Sequence, residues 1–349
     1  MDFQNKIIDW YKVNKRDLPW RNINNPYYIW LSEVILQQTR VIQGTGYYLN
    51  FIEKFPNIKD LALAKEDEVL RLWQGLGYYS RARNLHFTAK EILNKYNGIF
   101  PSQYDQVLSL KGVGVYTAAA ICSFAFGLPY AVVDGNVIRV LSRFFGIDIG
   151  FDTTEGKKRF QNLAQELLPQ DTPAIYNQAI MEFGALQCVP KSPNCSACVL
   201  QEFCAAYNTG RVKNLPIRSR NKKVKERYLN FLMIHTKNGI CIRKRNDGIW
   251  KGLYEFPFIE FERNIPDQEI LLSSTWKELF SGTHPIVEEI SSTFTHLLSH
   301  QKIYAKFWRI YMETDFNKGF LQVSKEDLFM YPVSRLMQRY INTIITNKN

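Results

Sequence analysis

Four of the chain's six cysteines fall between Cys188 and Cys204, in CVPKSPNCSACVLQEFC, with six, two and five residues between them. Thiols crowded in this way pair with each other or bind metal. The start of the chain, MDFQNKIIDWYKVNKRD, lacks the basic-then-apolar layout of a secretory leader, so a reducing compartment is expected and metal is the better reading. Structural zinc usually pairs two CxxC-like knuckles or adds histidine. Here a single CxxC (Cys195, Cys198) stands alone, and the nearest downstream histidine is His235. The spacing suits four thiolates, Cys188, Cys195, Cys198 and Cys204, around a [4Fe–4S] cluster. Zinc, or scattered buried thiols, is the alternative. Cys122 in TAAAICSFAF and Cys241 in GICIRKR read as packed core thiols.

Two carboxylates stand in surroundings that suit acid–base work. Glu33 lies among apolar neighbours in IWLSEVILQQT. Buried there, its pKa would rise and it could donate a proton at neutral pH; on an exposed helix face it would do nothing special. Asp134 follows three apolar residues and precedes a helix in AVVDGNVIRVLSRFFG. It reads as a helix N-cap, or as an anion at a dry boundary that could stabilise a cation. Between them, LSLKGVGVYTAAAICSFAFG carries a tight Lys-Gly-Val-Gly turn into a small-residue helix. Gly112 and Gly114 leave backbone N–H groups uncovered at a helix start, a place for a phosphate oxygen. Two helices around such a turn make a helix-hairpin-helix, which binds the DNA backbone without reading sequence.

These residues must be held by a frame, and the chain suggests one. At 349 residues, 46% hydrophobic and 22% charged, it is ordinary globular material with room for two domains. Residues 1–204 read as short helices punctuated by Gly and Pro. The stretch YIWLSEVILQQTRVIQGTGYYLNFIEKF runs near helical period and is expected to break at Gly44 and Gly46. Residues 205–227 carry eight Lys or Arg against one Glu, which reads as an exposed basic linker, either solvated or lying along a phosphate backbone. From 228 to 349 the period changes. YLNFLMIHT, GICIRKR and KIYAKFWRIYME read as strands, and DQEILLSSTWKELF and VSRLMQRYINTII as helices, giving a separate α+β domain. Net charge is +11, which favours a polyanionic partner. With no run of about 18 apolar residues, a membrane span is not expected, and a cytoplasmic location follows by default.

In their order along the chain, the hairpin, the Asp twenty residues beyond it and the four-cysteine loop resemble the helix-hairpin-helix, Gly/Pro-Asp superfamily of DNA glycosylases. The resemblance covers residues 1–204 almost continuously and implies a mainly α glycosylase domain with six-helix and iron–sulfur cluster subdomains. Glycosylase/lyases of the endonuclease III kind place a Schiff-base lysine in GVGxKTA. Here GVGVYTA puts Tyr116 there, and a tyrosine cannot form an imine. DLPWR, LSEVILQQT and WQGLGYYSRARNLH look like the branch of adenine DNA glycosylases, which remove adenine mispaired with 8-oxoguanine. In that branch a Nudix-like domain follows. IRKRNDGIWKGLYEFP looks like its start, though a hydrolase Nudix box is missing. THLLSHQKI resembles the lesion-reading loop, with Leu298-Ser299-His300 where Phe-Ser-His is usual.

The resemblance implies roles. The adenine nucleotide is flipped out of the duplex. Glu33 protonates N7 of adenine and then, deprotonated, activates water. Asp134 opposes the oxocarbenium-like sugar or bonds transiently to its carbon, with Tyr116 and Asn136 beside the two carboxylates. Gln38 and Tyr78 enter the DNA stack. Ser299 and His300 read the base opposite adenine. The implied partner is double-stranded DNA with A·8-oxoguanine or A·G, bound by a monomer in the bacterial cytoplasm. A glycosylase for another mispaired base, and a non-catalytic DNA-binding iron–sulfur protein, are the competing readings.

Overall fold

A computed structural model describes residues 2–219, 224–314, 316 and 318–346. The chain forms two compact units, Met1–Leu63 with Asn84–Asn221, and Ala64–Arg83 with Lys222–Asn349.

The first unit is helical. Helix Pro26–Leu36 starts on Asn25, whose side chain accepts from Tyr27 N, with Pro26 in the first turn. Its sequence is apolar nearly all round and residues from Tyr27 to Ile35 are mostly buried, as expected of a helix with neighbours on every side. It packs against helix Val115–Phe126. The expected break at Gly44 and Gly46 is not where the chain turns. Both glycines lie inside helix Val41–Lys54, and the turn falls at residues 37–40, where Gln38 has φ +58°. Gly44 serves close packing instead: a Cβ there would lie 2.8 Å from Leu36 Cδ2.

Helix Tyr104–Ser109, the turn through Gly114 and helix Val115–Phe126 form the expected hairpin. Gly112 has φ +81° and its missing Cβ leaves room for Asn84. A second helical layer joins Phe3–Asn14, Gly135–Phe145 and Pro173–Leu186 around Ile7, Leu141, Tyr176 and Phe183, and the cysteine loop packs against this core. Part of the stretch read as an exposed linker is packed here. Ala206 and Leu215 are buried, and Phe151 N donates to Ile217 O. Residues 220–223 of that stretch lie outside the described residues.

The second unit is α+β. Its strands are β1 Lys225–Thr236, β2 Gly239–Lys244, β3 Tyr254–Glu255, β4 Phe258–Phe261, β5 Ile286–Ile290, β6 Phe294–Leu297, β7 Gln301–Tyr311 and β8 Leu321–Val323. The sheet runs β3-β2-β1-β7-β5, with β4 on β1, β6 on β7 and β8 on β2. Long central β1 and β7 are parallel, from Lys225↔Gln301 to His235↔Tyr311. Alternating residues bury both faces. One carries Leu232, Ile234, Trp308 and Ile310 against Ile270 and Trp276. On the other, Phe307 stacks on Tyr340 of helix Arg335–Thr346. The helix read from DQEILLSSTWKELF is two, Asp267–Leu272 and Ser274–Leu279, because Ser273 ends one and caps the next. Cys122 and Cys241 are fully buried core thiols.

Candidate active site

A cavity of about 210 Å³ opens within the first unit, lined by Glu33, Tyr116, Asp134 and Asn136 together. Residues 83 and 101 positions apart from Glu33 thus meet, because helix Pro26–Leu36 carries the Glu against the hairpin helix that carries the Tyr. Glu33 is buried, and its Oε2 accepts a hydrogen bond from the Tyr116 hydroxyl at 2.8 Å. Burial pushes the Glu33 carboxyl up to about 7; the Tyr116 hydrogen bond and the Arg21 charge pull it back, and Asp134 adds to the rise. Burial, with both carboxylates nearby, holds Tyr116 well above the ordinary phenol range, so it stays neutral.

Asp134 is the N-cap its sequence allows, and it also lines the cavity. It caps helix Gly135–Phe145: Oδ1 accepts from Asn136 N and Val137 N, both at 2.8 Å. Its Oδ2 accepts from Asn136 Nδ2 at 2.6 Å. Burial raises its pKa, and these three donors with Arg139 lower it. The helix N-terminus favours the anion further.

Sequence reading missed the opposite wall. Glu182 is buried, and its carboxylate takes a two-pronged bond from Arg16, both contacts at 2.7 Å, with Arg21 at 3.3 Å. Burial raises the Glu182 pKa, but the Arg16 bonds and the Arg21 charge outweigh it, so the group stays ionised. Arg21 Nη1 donates to Gln178 Oε1 and to the Tyr11 hydroxyl, each at 2.9 Å. The signal was available: Arg21 ends DLPWR, and Glu182, like Glu33, is a carboxylate in an otherwise apolar helix. Arg139 ties the site to the cysteine loop. Its guanidinium donates to Asn136 Oδ1 at 2.8 Å and to Cys188 O at 2.7 Å.

Cys188, Cys195, Cys198 and Cys204 line one small cavity of about 30 Å³ with Arg143, whose Nη1 lies 3.4 Å from Cys188 Sγ. All four are free thiols. Among the described residues no group of three or more His, Cys, Asp and Glu is placed to hold a single metal ion. Four cysteines lining one cavity supply the four thiolates that an iron–sulfur cluster takes.

The remaining sequence candidates are surface groups. Lys111, Gly112, Gly114 and Val115 are exposed, so the hairpin turn faces solvent. Gln38 and Tyr78 are non-glycine residues in the left-handed region, at φ +58° and +48°, an unfavourable backbone that functional sites often retain. Tyr78 belongs to the second unit. It is half exposed, and its hydroxyl hydrogen-bonds Ser299 Oγ. Ser299 and His300 are the two central residues of the tight β6–β7 turn, closed by Leu298 N to Gln301 O at 2.8 Å. Lys225 N donates to His300 O at 3.0 Å, which pins the turn to β1.

Three stretches match family models: residues 31–170 match the HhH-GPD superfamily of base excision DNA repair proteins, residues 188–204 the iron-sulfur binding domain of endonuclease III, and residues 230–343 the NUDIX domain. The chain is similar to the adenine DNA glycosylase of Buchnera aphidicola subsp. Baizongia pistaciae (strain Bp), 38% identical over 310 residues, 86% of this chain and 84% of the relative. It is 32% identical to the adenine DNA glycosylase of Mus musculus, across 86% of this chain and 69% of that one. Among solved structures, a thermostable thymine-DNA glycosylase aligns with TM-score 0.55 and 30% identity, over 59% of this chain and 95% of its own. A non-covalent endonuclease III–DNA complex aligns with TM-score 0.52 at 23% identity, over 59% and 94%, a likeness of fold.

Proposed function

The chain belongs to the adenine DNA glycosylases, and from that membership we propose that it excises adenine paired with 8-oxoguanine, or with guanine, using Glu33 as acid and Asp134 as the stabilising anion. It is a DNA-binding base-excision enzyme that hydrolyses an N-glycosidic bond and holds a [4Fe–4S] cluster. A relative named for adenine covers 86% of the chain, whereas the thymine-DNA glycosylase likeness covers 59%.

One observation carries the mechanism: a buried carboxyl with a pKa of about 7 shares a cavity with a second carboxylate held by three donors. A flipped adenine enters this cavity. Glu33 gives its proton to N7 as the C1′–N9 bond breaks, and the bonding electrons leave with the base. The sugar becomes oxocarbenium-like, and Asp134 opposes its charge. Glu33, now ionised, takes a proton from water as the water oxygen bonds to C1′. Tyr116 donates to Glu33 in its ionised form, and Asn136 fixes the Asp134 oxygens. The Glu182–Arg21–Gln178 network presents both acceptors and donors to the edge of the base.

Binding of the duplex is assigned to other groups. Gly112 and Gly114 offer backbone N–H groups to a phosphate. Gln38 and Tyr78 enter the stack, and Ser299 and His300 read the base opposite adenine. Cys188, Cys195, Cys198 and Cys204 hold the [4Fe–4S] cluster, which would brace the loop between them. A helical glycosylase domain, 1–204, and a lesion-recognition domain, 228–349, are joined by the basic stretch 205–227, in which Ala206 and Leu215 are buried, and the protein acts as a monomer in the bacterial cytoplasm. Among the described residues no helix is long and apolar enough to cross a membrane. Single-turnover excision on A·8-oxoguanine duplexes by wild type, Glu33→Gln and Asp134→Asn tests the assignment. Both variants should bind the duplex and lose excision; near-normal excision by either removes that residue from the mechanism.

A further inference from the structure

Between helix Val115–Phe126 and Asp134 the chain has no secondary structure of its own. Ala131 and Val132 on this stretch are buried. Backbone N–H and C=O groups buried in this way need partners, and here the partners are amide side chains. Gln165 Nε2 donates to Pro129 O at 2.8 Å, and Gln165 Oε1 accepts from Ala131 N at 3.0 Å. Asn177 Nδ2 donates to Tyr130 O at 2.8 Å, and Asn177 Oδ1 accepts from Val132 N at 3.1 Å. The alternation is that of an extended chain, whose successive residues turn their polar groups to opposite edges. Each amide therefore grips one edge, as a neighbouring strand would.

Asn177 does more than satisfy this stretch. It is 1% exposed, and its second amide hydrogen goes to Ser123 Oγ at 2.9 Å. Its oxygen and both amide hydrogens are thus used. One buried residue joins three elements that wall the Glu33–Asp134 cavity. Helix Pro173–Leu186 carries Asn177 itself, with Gln178 and Glu182. Helix Val115–Phe126 carries Ser123, with Tyr116. The third element is the stretch that delivers Asp134. A leucine of similar shape would fill the same space without the cost of burying an amide. It would leave Tyr130 O and Val132 N without these partners. A fully satisfied buried amide fixes geometry in a way that an apolar side chain does not.

We propose that Asn177 and Gln165 are positioning residues for the reaction: as two amide clamps on residues 129–132, they fix how far Asp134 reaches toward the sugar cation. This rests on the reading of Asp134 as the stabilising anion and adds what places it. Val133 alone separates the clamped stretch from Asp134, so a slip of the stretch passes to the carboxylate. The bonds from Asn136 N and Val137 N orient the carboxylate on its own helix. The clamps set the chain that enters that helix. Neither Asn177 nor Gln165 lines the cavity, so both act through Asp134.

Two duplex ligands report where the anion stands. One carries, in place of the adenine nucleotide's sugar, a pyrrolidine whose nitrogen is cationic at neutral pH; the other carries a neutral tetrahydrofuran. The ratio of their affinities is measured on the full-length holoprotein for wild type, Asn177→Leu, Gln165→Leu and Asp134→Asn, beside single-turnover excision. Wild type should prefer the cation. Asn177→Leu should lose about a hundredfold in excision, the scale of an ångström's misplacement. It should also lose most of the preference for the cation, with tetrahydrofuran binding unchanged. Gln165 is exposed, so Gln165→Leu should keep its melting temperature and move both readouts the same way, with excision down about tenfold. It decides the matter if Asn177→Leu does not fold. A merely structural role would lower the melting temperature and spare the ratio. Wild-type preference for the cation in either folded clamp variant, while Asp134→Asn loses it, would overturn the proposal and leave the anion reading standing. If Asp134→Asn keeps the preference, the anion reading fails and the proposal falls with it.

Discussion

The environment of Glu33 opposes its charge. Its carboxyl ionises near 4.5 in the unfolded chain and at about 7 in the folded one. Below the lower value both states keep the proton and folding loses nothing. Between the two values the unfolded chain ionises while the folded one keeps its proton, so stability falls, and the loss reaches roughly 3 kcal/mol once pH has passed the upper value. Glu33→Gln should therefore melt several degrees above wild type at pH 8, and the gain should vanish by pH 4 in calorimetry. The excision rate should fall as pH rises through about 7, where the acid form is lost. Tyr116 makes a second prediction. Its phenol cannot form an imine with the opened sugar, so borohydride should trap little covalent complex. Efficient trapping abolished by changing Tyr116 would contradict this. Glu33 and Asp134 were legible because each interrupts a local apolar run. Glu182 interrupts an apolar run in the same way, but its pairing with Arg16 was not legible, because the partners are 166 residues apart and only the fold brings them together.

Among the elements, helices Gly135–Phe145 and Pro173–Leu186 determine where Asp134 and Asn136 sit. They approach so closely that a Cβ on Gly184 would lie 2.7 Å from Asn136 Cβ and 2.8 Å from its carbonyl oxygen. Backbone must then move. Gly184→Ala should cost about 1–3 kcal/mol of stability and lower single-turnover excision at least tenfold, with the cysteine loop still loaded. An unchanged rate would mean that the spacing of these helices does not position the Asp. The loop itself should yield iron and acid-labile sulfide in equal amounts, and stoichiometric zinc would defeat the cluster assignment. Helix and strand periods were readable because burial enforces them. The Gly44/Gly46 break was misplaced because glycine also serves close packing, and the actual turn is made at Gln38, a residue type that gives no warning of positive φ.

At the scale of the whole molecule we propose a division of work: acid–base chemistry in the first unit, reading of the opposite base in the second. Ser299→Ala with His300→Ala should reduce the preference for A·8-oxoguanine over A·G by about tenfold, since a polar reader is lost. Chemistry on A·G should change much less. The family was legible from the order of hairpin, Asp and cysteine loop. The assignment of Ala64–Arg83 to the second unit was not, since it rests on contacts such as Tyr79 Oη to Val333 O, 254 residues apart. The most direct measurement is single-turnover excision on duplexes carrying A opposite 8-oxoguanine, with the released base identified and the strand examined before and after hot alkali. Free adenine, strand cleavage only after alkali, and slower release from A·G are predicted. Release of thymine from T·G in preference to adenine, or a strand cut without alkali, would contradict the account.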